Sequence, residues 1–525
     1  MRNAKSLLRI GLGLLLMVAL VGCNIDLNVE NKNAPDAERA LTTAQDIQNL
    51  VAGTFLNYFY GTHYYAPSMT LSTMADEGSS SWGNFSMREM SSVPRVAWNN
   101  SITYDADYQR VNLSPWTYLY RAISSSSDGL RMIDKGKDIE IDGVDHTARL
   151  QAFAKFIQGI AHGWLGCFYD QGFVMDETID LETTKLDLKP YTDLVAKGVA
   201  ALQECIALCE ANTFTLPADW IKGNAFTQDD LKKLAHSYIA RYLAAQARTV
   251  AERDAADWAS IKNHADQGIT ADFLVYCDGN YWWSGLHYLG IADGWCRSDM
   301  LHVGTADTSG NFDAWLATPW ANRTSFYIET PDLRFTSGDS TGVGAFDQIG
   351  TDYWYKYPVP FRPDRGTYHF TFYYHGRYWD HLLSGAASPV PDMKASELDM
   401  LRAEYWLRQG NAANAATEIN KTRTTRGGLD PVDAADGIGT VADKPRITGS
   451  LWATFKYESN IELDRTGVGL AWMNDRGWGD LVQNTAIHFP VPARELEVLQ
   501  LPSYTFGGGG PGSAPKMMPH IPARY

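Results

Sequence analysis

Two stretches of helical periodicity follow each other between residues 396 and 429. Ser396 and Asp399 have the spacing of a capping box at the start of the first stretch, and Gly410 separates the two stretches. The apolar positions are Leu398, Leu401 and Tyr405 in the first stretch, and the smaller Ala412, Ala415, Ala416 and Ile419 in the second. Small residues let two helices lie close together, so this pattern predicts a tetratricopeptide-like hairpin of about 34 residues. An ordinary hairpin within a larger core is the alternative interpretation.

The same periodicity predicts helices over most of the chain outside its central part. Thr43 and Asp46 open the first of these helices. In the centre the period is lost, and short segments rich in Trp, Tyr, Gly, Asp and Pro follow one another. The sequence therefore predicts a mostly α fold, with a repeat-like helical scaffold over 41–270 and 396–525 and an irregular, loop-rich excursion over about 271–395. The other predicted helices span 116–132, 152–169, 191–210, 231–250, 258–268 and 452–467.

The N-terminus has the pattern of an exported lipoprotein. Three basic residues precede an apolar run at 10–21, which is too short to span a bilayer but has the length of a secretory signal. The run ends in the sequence LVGC, the pattern of a bacterial lipobox. We therefore predict a signal peptide over 1–22, acylation of Cys23 with chains such as palmitate, and a polar tether over 23–40. Residues 41–525 are predicted to form the folded domain.

The composition combines an acidic charge with a high aromatic content. The 525 residues include 17 Trp and 27 Tyr, and the formal charge of −16 falls to −19 without the three basic residues of the signal peptide. A chain this acidic argues against nucleic acid as a partner, because Lys and Arg carry phosphate binding. The sequence contains no hydrolase, metalloprotease or nucleotide-binding motif, and its 12 His lack metal-ligand spacing. We therefore expect no enzyme activity, no cofactor and no metal.

Four ordered segments of the chain resemble the SusD/RagB family of outer-membrane lipoproteins. These are the lipobox with the first helix, the hairpin with AEYWLRQGN and AATEINKTR, the final helix from Glu458 to Gly467, and the closing FPVP at 489–492. The family usually has Arg where this chain has Ser459. This departure concerns local ion pairing more than the fold.

The resemblance implies both a fold and a role. The fold would be SusD-like, with tetratricopeptide-like hairpins, and the protein would capture a nutrient at the cell surface, foremost an oligosaccharide. The implied partner is a SusC-like TonB-dependent transporter, and the implied location is the outer membrane, facing the cell exterior. A peptide or another metabolite in the same role, and a surface glycoside hydrolase, are the two alternatives.

Aromatic residues in two loop regions are the candidate ligand-binding residues. A sugar site needs flat aromatic faces against the apolar side of the sugar ring, and polar groups for its hydroxyls. Because adjacent side chains diverge in a Gly-flanked loop, at least one of Trp282 and Trp283 is expected at the surface. Packing in the core is the alternative for each ring. The predicted ligand-binding residues are Asp76, Trp82 and Trp98 in the N-terminal loop region, and Tyr281, Trp282, Trp283, Trp295 and Trp320 in the excursion.

The pair Asp76 and Glu77 offers the one hydrolase hypothesis, since glycosidases use two carboxyl groups. Adjacent side chains point apart, however, so hydroxyl binding or turn formation is the favoured interpretation of these residues.

Five cysteines remain besides Cys23. Cys205 and Cys209 share one helical face, which is typical of buried apolar residues. Cys277 and Cys296 flank the aromatic loop and could form a disulfide in an exported protein. The sequence leaves this pairing open.

Overall fold

The computed structural model describes residues 41–102, 106–180, 183–337, 348–357, 361–365, 369–508 and 516–517. The predicted signal peptide over 1–22 and the whole predicted tether over 23–40, with Cys23, lie outside the described residues. Within those ranges, no helix combines the length and the apolar character needed to cross a membrane.

Helices make up most of the regular structure, as the periodicity predicts. They are α1 (Ala44–Ala52), α2 (Thr54–His63), α3 (Tyr65–Met74), α4 (Met87–Ser91), α5 (Ala106–Asp134), α6 (Thr147–Phe168), α7 (Tyr191–Ala211), α8 (Gln228–Ala245), α9 (Val250–Asp254), α10 (Trp258–Asp266), α11 (Gly285–Tyr288), α12 (Met300–Val303), α13 (Asn311–Ala317), α14 (Trp379–Leu383), α15 (Ala395–Arg408), α16 (Ala412–Arg423), α17 (Leu451–Glu462), α18 (Leu470–Trp478) and α19 (Ala493–Val498). Short 3₁₀ turns span Asn84–Ser86, Gly304–Ala306, Trp320–Asn322, Pro363–Arg365 and Ala434–Asp436.

The long helices pack one against the next in a continuous series. The order of contact is α5, α6, α7, α8, α10, α15, α16 and α17. The antiparallel pair α6 and α7 is especially close, because Gly159 and Gly198 face each other. A Cβ added at Gly198 would lie 2.7 Å from the carbonyl oxygen of Gly159. This series of helical hairpins is the mostly α, tetratricopeptide-like architecture expected from the sequence.

The predicted hairpin at 396–429 is formed by α15 and α16. Gly410 has a positive φ of 70° and lies in the turn between them, and the Asn411 side chain caps α16 by accepting from the Asn414 amide at 3.1 Å. The predicted capping box at Ser396 is wrong, because α15 begins one residue earlier and its N-cap is Lys394. Thr43 and Asp46 open α1 as predicted, and their side chains form a capping box there.

The excursion leaves and re-enters the helical scaffold at one strand pair. Strand β6 (Phe273–Tyr276) pairs antiparallel with β10 (Pro389–Met393), so that Phe273 lies opposite Met393 and Tyr276 opposite Pro389. All strands named in the described residues form two-stranded pairs: β1 (Gly78–Ser79) with β7 (Arg297–Ser298), β2 (Glu140–Ile141) with β3 (Val144–Asp145), β4 (Gln171–Gly172) with β5 (Lys189–Pro190), β6 (Phe273–Tyr276) with β10 (Pro389–Met393), β8 (Tyr353–Tyr355) with β9 (Tyr373–His375), and β11 (Tyr504–Thr505) with β12 (Lys516–Met517).

A buried ion pair joins the excursion to α17. The Arg334 guanidinium donates to both oxygens of Glu458, at 3.0 and 2.9 Å, and also to the carboxylate of Asp332. Arg426, in the turn that follows α16, pairs with Glu462 at 2.9 Å. The ion pairing that Ser459 put in doubt is therefore supplied by arginines from elsewhere in the chain.

Candidate functional site

Two predicted residues, Trp82 and Trp295, meet at one end of the ribbon formed by β1 and β7. Trp82 follows β1, and Trp295 precedes β7. Their ring centroids lie 5.7 Å apart, and the Trp82 indole N–H donates to the Gly294 carbonyl at 2.8 Å. Trp82 is 39% exposed, and Trp295 is partly exposed. The antiparallel ribbon thus brings the two predicted loop regions into contact at these rings.

A second group of rings surrounds Tyr65 at the start of α3. The Tyr65 ring stacks on Phe85 at 5.1 Å with an angle of 13°, and meets the edge of Trp283 at 5.7 Å. Trp283 in turn contacts Tyr288 of α11 at 4.6 Å. All four rings are partly exposed.

The two groups share one apolar floor. Tyr65, Phe85, Tyr288 and Trp295 all pack against the same buried cluster, which consists of Met69, Met87, Leu289 and Cys296. Because these rings rest on a common base and remain partly exposed, they form one aromatic surface.

Tyrosines from α2 and α5 extend this surface. Tyr64 contacts Tyr65 at 4.6 Å and stacks on Tyr60 at 4.6 Å, one helical turn earlier. Tyr60 contacts Tyr118, and the Arg121 guanidinium lies 5.2 Å from the Tyr118 ring centre. We call the whole set the aromatic belt: Tyr60, Tyr64, Tyr65, Trp82, Phe85, Tyr118, Trp283, Tyr288 and Trp295.

Phe85 has a strained backbone conformation that hydrogen bonds hold in place. Phe85 and Ser86 are consecutive non-glycine residues with positive φ angles of 54° and 56°. Such conformations cost on the order of 1–3 kcal/mol each and cluster at binding and catalytic sites. The Thr70 hydroxyl donates to the Phe85 carbonyl, and the Ser86 amide donates to the Gly83 carbonyl at 3.2 Å. These bonds fix the turn that aims the Phe85 ring at Tyr65.

Polar groups accompany the rings. Among the described residues, the Trp283 indole N–H has no hydrogen-bond partner, but its nitrogen is buried and so does not present a donor to solvent. Burial raises the pKa of both Tyr60 and Tyr65 to about 12, so their hydroxyls stay protonated at neutral pH and keep their donor capacity. The belt therefore offers flat apolar faces together with neutral donors.

One charged pair lies beside the Trp82 and Trp295 end of the belt. The Arg362 amide donates to the Ser81 hydroxyl at 3.1 Å, and its guanidinium pairs with Asp364 at 2.9 Å. Both side chains are 62% exposed, and the hydrogen bond from Arg362 holds the pKa of the Asp364 carboxyl below its usual value. Arginine and carboxylate side chains in the open can bind pairs of hydroxyls.

The structure places several other predicted residues in the core. Trp98 is 1% exposed and packs against Phe489 at 5.2 Å. Trp282 is 8% exposed and packs against Phe55 and Phe59, so of the adjacent pair only Trp283 reaches the surface. The prediction of Trp98 and Trp282 as open stacking faces is therefore wrong.

The remaining predicted residues divide between the interior and the surface. Asp76 is 6% exposed and pairs with Arg95, so it does not present a carboxylate to solvent. Tyr281 is 67% exposed in the loop before α11, and Trp320 is 39% exposed at the start of the 3₁₀ turn Trp320–Asn322.

The sequence interpretation missed the tyrosines of the belt. Their signal is the run NYFYGTHYY at 57–65, in which aromatics at helical spacing continue beyond the end of α2. Tyr60 and Tyr64 lie four residues apart and so share a helical face, but periodicity alone does not show whether that face is buried.

The structure argues against a catalytic role for Asp76 and Glu77 and against a disulfide between Cys277 and Cys296. Glu77 is 7% exposed, and burial, with a smaller effect from Asp464, raises its pKa to about 8. Two buried carboxyl groups cannot act as a solvent-accessible acid and base on a polysaccharide. Cys277 and Cys296 are both buried and free, so the possible disulfide between them is not formed.

Comparison with known proteins identifies the fold. No protein-family model matches the sequence, and no curated protein matches it. A SusD superfamily protein from Bacteroides vulgatus ATCC 8482 superposes with a TM-score of 0.53 at 15% identity, over 87% of this chain and 97% of that one. A SusD-like carbohydrate binding protein from Bacteroides fragilis NCTC 9343 gives 0.53 at 14%, over 90% of each chain. A SusD superfamily protein from Parabacteroides distasonis ATCC 8503 gives 0.52 at 11%, over 87% and 96%. The chain has the SusD-like fold, as the sequence resemblance implied.

Proposed function

We propose that this protein binds an oligosaccharide on the aromatic belt at the cell surface and passes it to a TonB-dependent transporter of the outer membrane. The observation that carries the proposal is the belt itself, nine rings in two groups above one apolar floor, of which Trp82 is the most exposed. The solved protein from Bacteroides fragilis, described as carbohydrate binding, supports the same class of ligand.

The chemistry of the belt fits a sugar chain. A pyranose has one face of C–H groups that lies against an aromatic ring, and hydroxyls around its edge that need donors and acceptors. Ring centres along the belt follow each other at 4.6 to 5.7 Å, through Tyr118, Tyr60, Tyr64, Tyr65 and Trp283. A surface of this length suits several linked sugars better than one.

Binding without turnover is part of the proposal. The loop carboxylates that suggested a hydrolase, Asp76 and Glu77, are buried, and Arg95 occupies both oxygens of Asp76. The belt contributes rings and hydroxyls, which suit glycan binding but do not provide the acid and nucleophile of glycoside hydrolysis.

Membrane attachment is proposed from the N-terminal pattern, and the transporter from the resemblance to the SusD/RagB family. Cys23 is proposed to carry the lipid anchor in the outer membrane, with the folded domain facing the exterior. An anchored protein of this kind needs a pore to move its ligand inwards, and a SusC-like transporter would supply it. Mild detergent extraction should therefore recover the protein together with such a transporter. Recovery of the protein alone from cells that express both would contradict this part of the proposal.

A binding screen tests the proposed function. The full-length protein would be measured by calorimetry against panels of neutral and charged oligosaccharides and of peptides, and each mixture would then be analysed for cleavage products. We expect micromolar or tighter binding of at least one oligosaccharide and no product. Binding of peptides alone would show that the ligand is a peptide and not an oligosaccharide. Release of shorter glycans would show that the protein is a hydrolase.

A further inference from the structure

Three buried side chains converge at the end of the β1 and β7 ribbon opposite Trp82 and Trp295. Asp76 precedes β1, Asp299 directly follows β7, and His369 lies on a segment whose carbonyl accepts from the Met300 amide at 2.7 Å. The exposed fractions of the three side chains are 6%, 0% and 2%. Each offers one potential ligand atom, and these three atoms all lie within 4.8 Å of one another.

Two polar atoms of this cluster have no hydrogen-bond partner among the residues that the structure describes. They are Oδ2 of Asp299 and Nδ1 of His369. Nδ1 of His369 lies 3.8 Å from Oδ1 of Asp299, too far for a hydrogen bond, and Oδ1 already accepts from the Leu301 amide at 2.9 Å. Buried polar atoms without partners are costly, so this arrangement calls for a group that both atoms can bind.

We propose that Asp76, Asp299 and His369 form a binding site for a divalent transition-metal ion of the Zn²⁺ or Mn²⁺ type. Two carboxylates and an imidazole are donors that such ions accept, whereas Ca²⁺ prefers oxygen ligands alone. Bonds of about 2.0–2.2 Å place two ligands of one ion roughly 3–4 Å apart, close to the spacing of Asp299 and His369.

The contacts of the neighbouring Arg95 and Arg323 are compatible with an ion bound at this site. Arg95 holds Asp76 from one side at 2.6 and 2.7 Å, and a carboxylate can keep such a contact through one oxygen while the other binds an ion. Arg323 donates to Nε2 of His369 at 3.1 Å, which places the proton of the neutral ring on Nδ1. Binding an ion at Nδ1 moves that proton to Nε2 and breaks this one contact. Arg323 retains its bonds to the carbonyls of Leu316 and Thr318, both 3.0 Å long.

The site would join three segments that are distant in sequence. An ion held by Asp76, Asp299 and His369 ties the residue before β1, the residue after β7 and the 369–370 segment, which bridges to Asp299, into one unit. Its main role would be structural, because the ion would lie in the interior. This role is independent of glycan binding and is measured without a glycan.

Metal titration of the full-length protein tests the proposal. After dialysis against EDTA, the protein would be titrated with Zn²⁺ or Mn²⁺ alone, and bound metal and Tm would be measured after gel filtration. We expect about one ion per chain and a Tm that rises by several degrees on loading and falls again with EDTA. Asp299→Asn and His369→Gln should each weaken the affinity at least tenfold and abolish the metal-dependent rise in Tm.

A matched control separates the site from adventitious binding. His381 is also 2% exposed, with Nδ1 bonded to the Ser388 hydroxyl at 2.8 Å, so His381→Gln should retain the ion. Arg323→Gln frees Nε2 of His369 and should bind the ion at least as tightly as the native chain. Native protein that takes up neither ion would overturn the proposal. So would Asp299→Asn and His369→Gln proteins that bind it unchanged. If these two variants fail to fold, the native and Arg323→Gln proteins still test the proposal, because both should take up about one ion and show the metal-dependent rise in Tm.

Discussion

The indole rings of Trp82 and Trp295 lie 5.7 Å apart, with the first donating its N–H to the carbonyl of Gly294 beside the second. This contact depends on the short ribbon of β1 and β7, which pairs Gly78 with Ser298 and Ser79 with Arg297. An insertion between the scaffold helices therefore meets the N-terminal loop at a surface where neither segment alone would form a site.

The length of the belt predicts that affinity rises with the length of the glycan. A chain long enough to reach from Trp82 to Tyr64 would gain contacts that a disaccharide cannot make. Tyr64→Ala should remove most of this gain and leave the affinity for short glycans unchanged. Calorimetry with a series of oligosaccharides of increasing length measures both effects, and equal losses at every length would contradict the extended site.

The adjacent residues Trp282 and Trp283 should respond in opposite ways to truncation. Trp282 packs against Phe55 and Phe59 in the core, so Trp282→Ala should lower the free energy of unfolding by about 3–5 kcal/mol. Trp283 is partly exposed in the belt, so Trp283→Ala should lower affinity by about tenfold with a smaller loss of stability. Chemical denaturation and binding of each variant distinguish the two, and a reversed order would mean that the two side chains exchange places.

A buried ion pair predicts a specific loss of stability in acid. Glu404 accepts from the Arg253 guanidinium at 2.8 and 2.7 Å; although burial opposes ionisation, that charge holds the pKa of Glu404 at about 2. A lowered carboxyl pKa stabilises the fold above the unfolded value of 4.5, and this contribution, about 3 kcal/mol, is lost as pH falls towards 2. The Glu404→Gln protein should therefore be about 3–5 kcal/mol less stable than the native protein at pH 7. Between pH 4 and pH 2 it should lose less stability than the native protein does, because it lacks the carboxylate that becomes protonated there.

An exposed pair supplies the control for that prediction. Asp313 is 76% exposed and pairs with Arg446 at 2.9 Å. Asp313→Asn should cost less than about 1 kcal/mol, because exposed ion pairs are screened by water. Denaturation curves that show equal losses for Asp313→Asn and Glu404→Gln would contradict the role assigned to burial.

The lipobox predicts that Cys23 controls location. Cys23→Ala should release the protein from the membrane fraction or block its maturation, since one thiol carries the proposed anchor. Cell fractionation with metabolic labelling by a palmitate analogue measures both outcomes. Unchanged fractionation with the outer membrane would place the anchor elsewhere.

The sequence predicts the helices well because their signals are local. Periodicity and the break at Gly410 identify α15 and α16, and the loss of period identifies the excursion that β6 and β10 close. The capping box at Ser396 failed because Ser396 lies inside the first turn of α15. Helix boundaries of this kind differ by a residue or two even when the helix itself is correct.

The site was predicted only in part because burial depends on distant residues. Trp82, Trp283 and Trp295 lie in the belt, but Trp282 is covered by Phe55 and Phe59 of α2, which no local pattern in its loop reveals. The cluster of Asp76, Asp299 and His369 was invisible for the same reason, since its members come from three separated segments. Tertiary contacts decide such sites, and residue spacing does not record them.

The most direct test of the binding site compares two pairs of contacting aromatic rings. Trp82 and Trp295 belong to the belt, whereas Tyr405 and Trp406, whose ring centres lie 4.8 Å apart, are partly exposed on α15. Both pairs would be replaced by Ala, and the affinity for the oligosaccharide found in the screen would be measured by calorimetry beside Tm. We expect the double variant of Trp82 and Trp295 to bind at least about tenfold more weakly, while that of Tyr405 and Trp406 binds normally. Normal binding by a folded protein that lacks Trp82 and Trp295 would contradict the site.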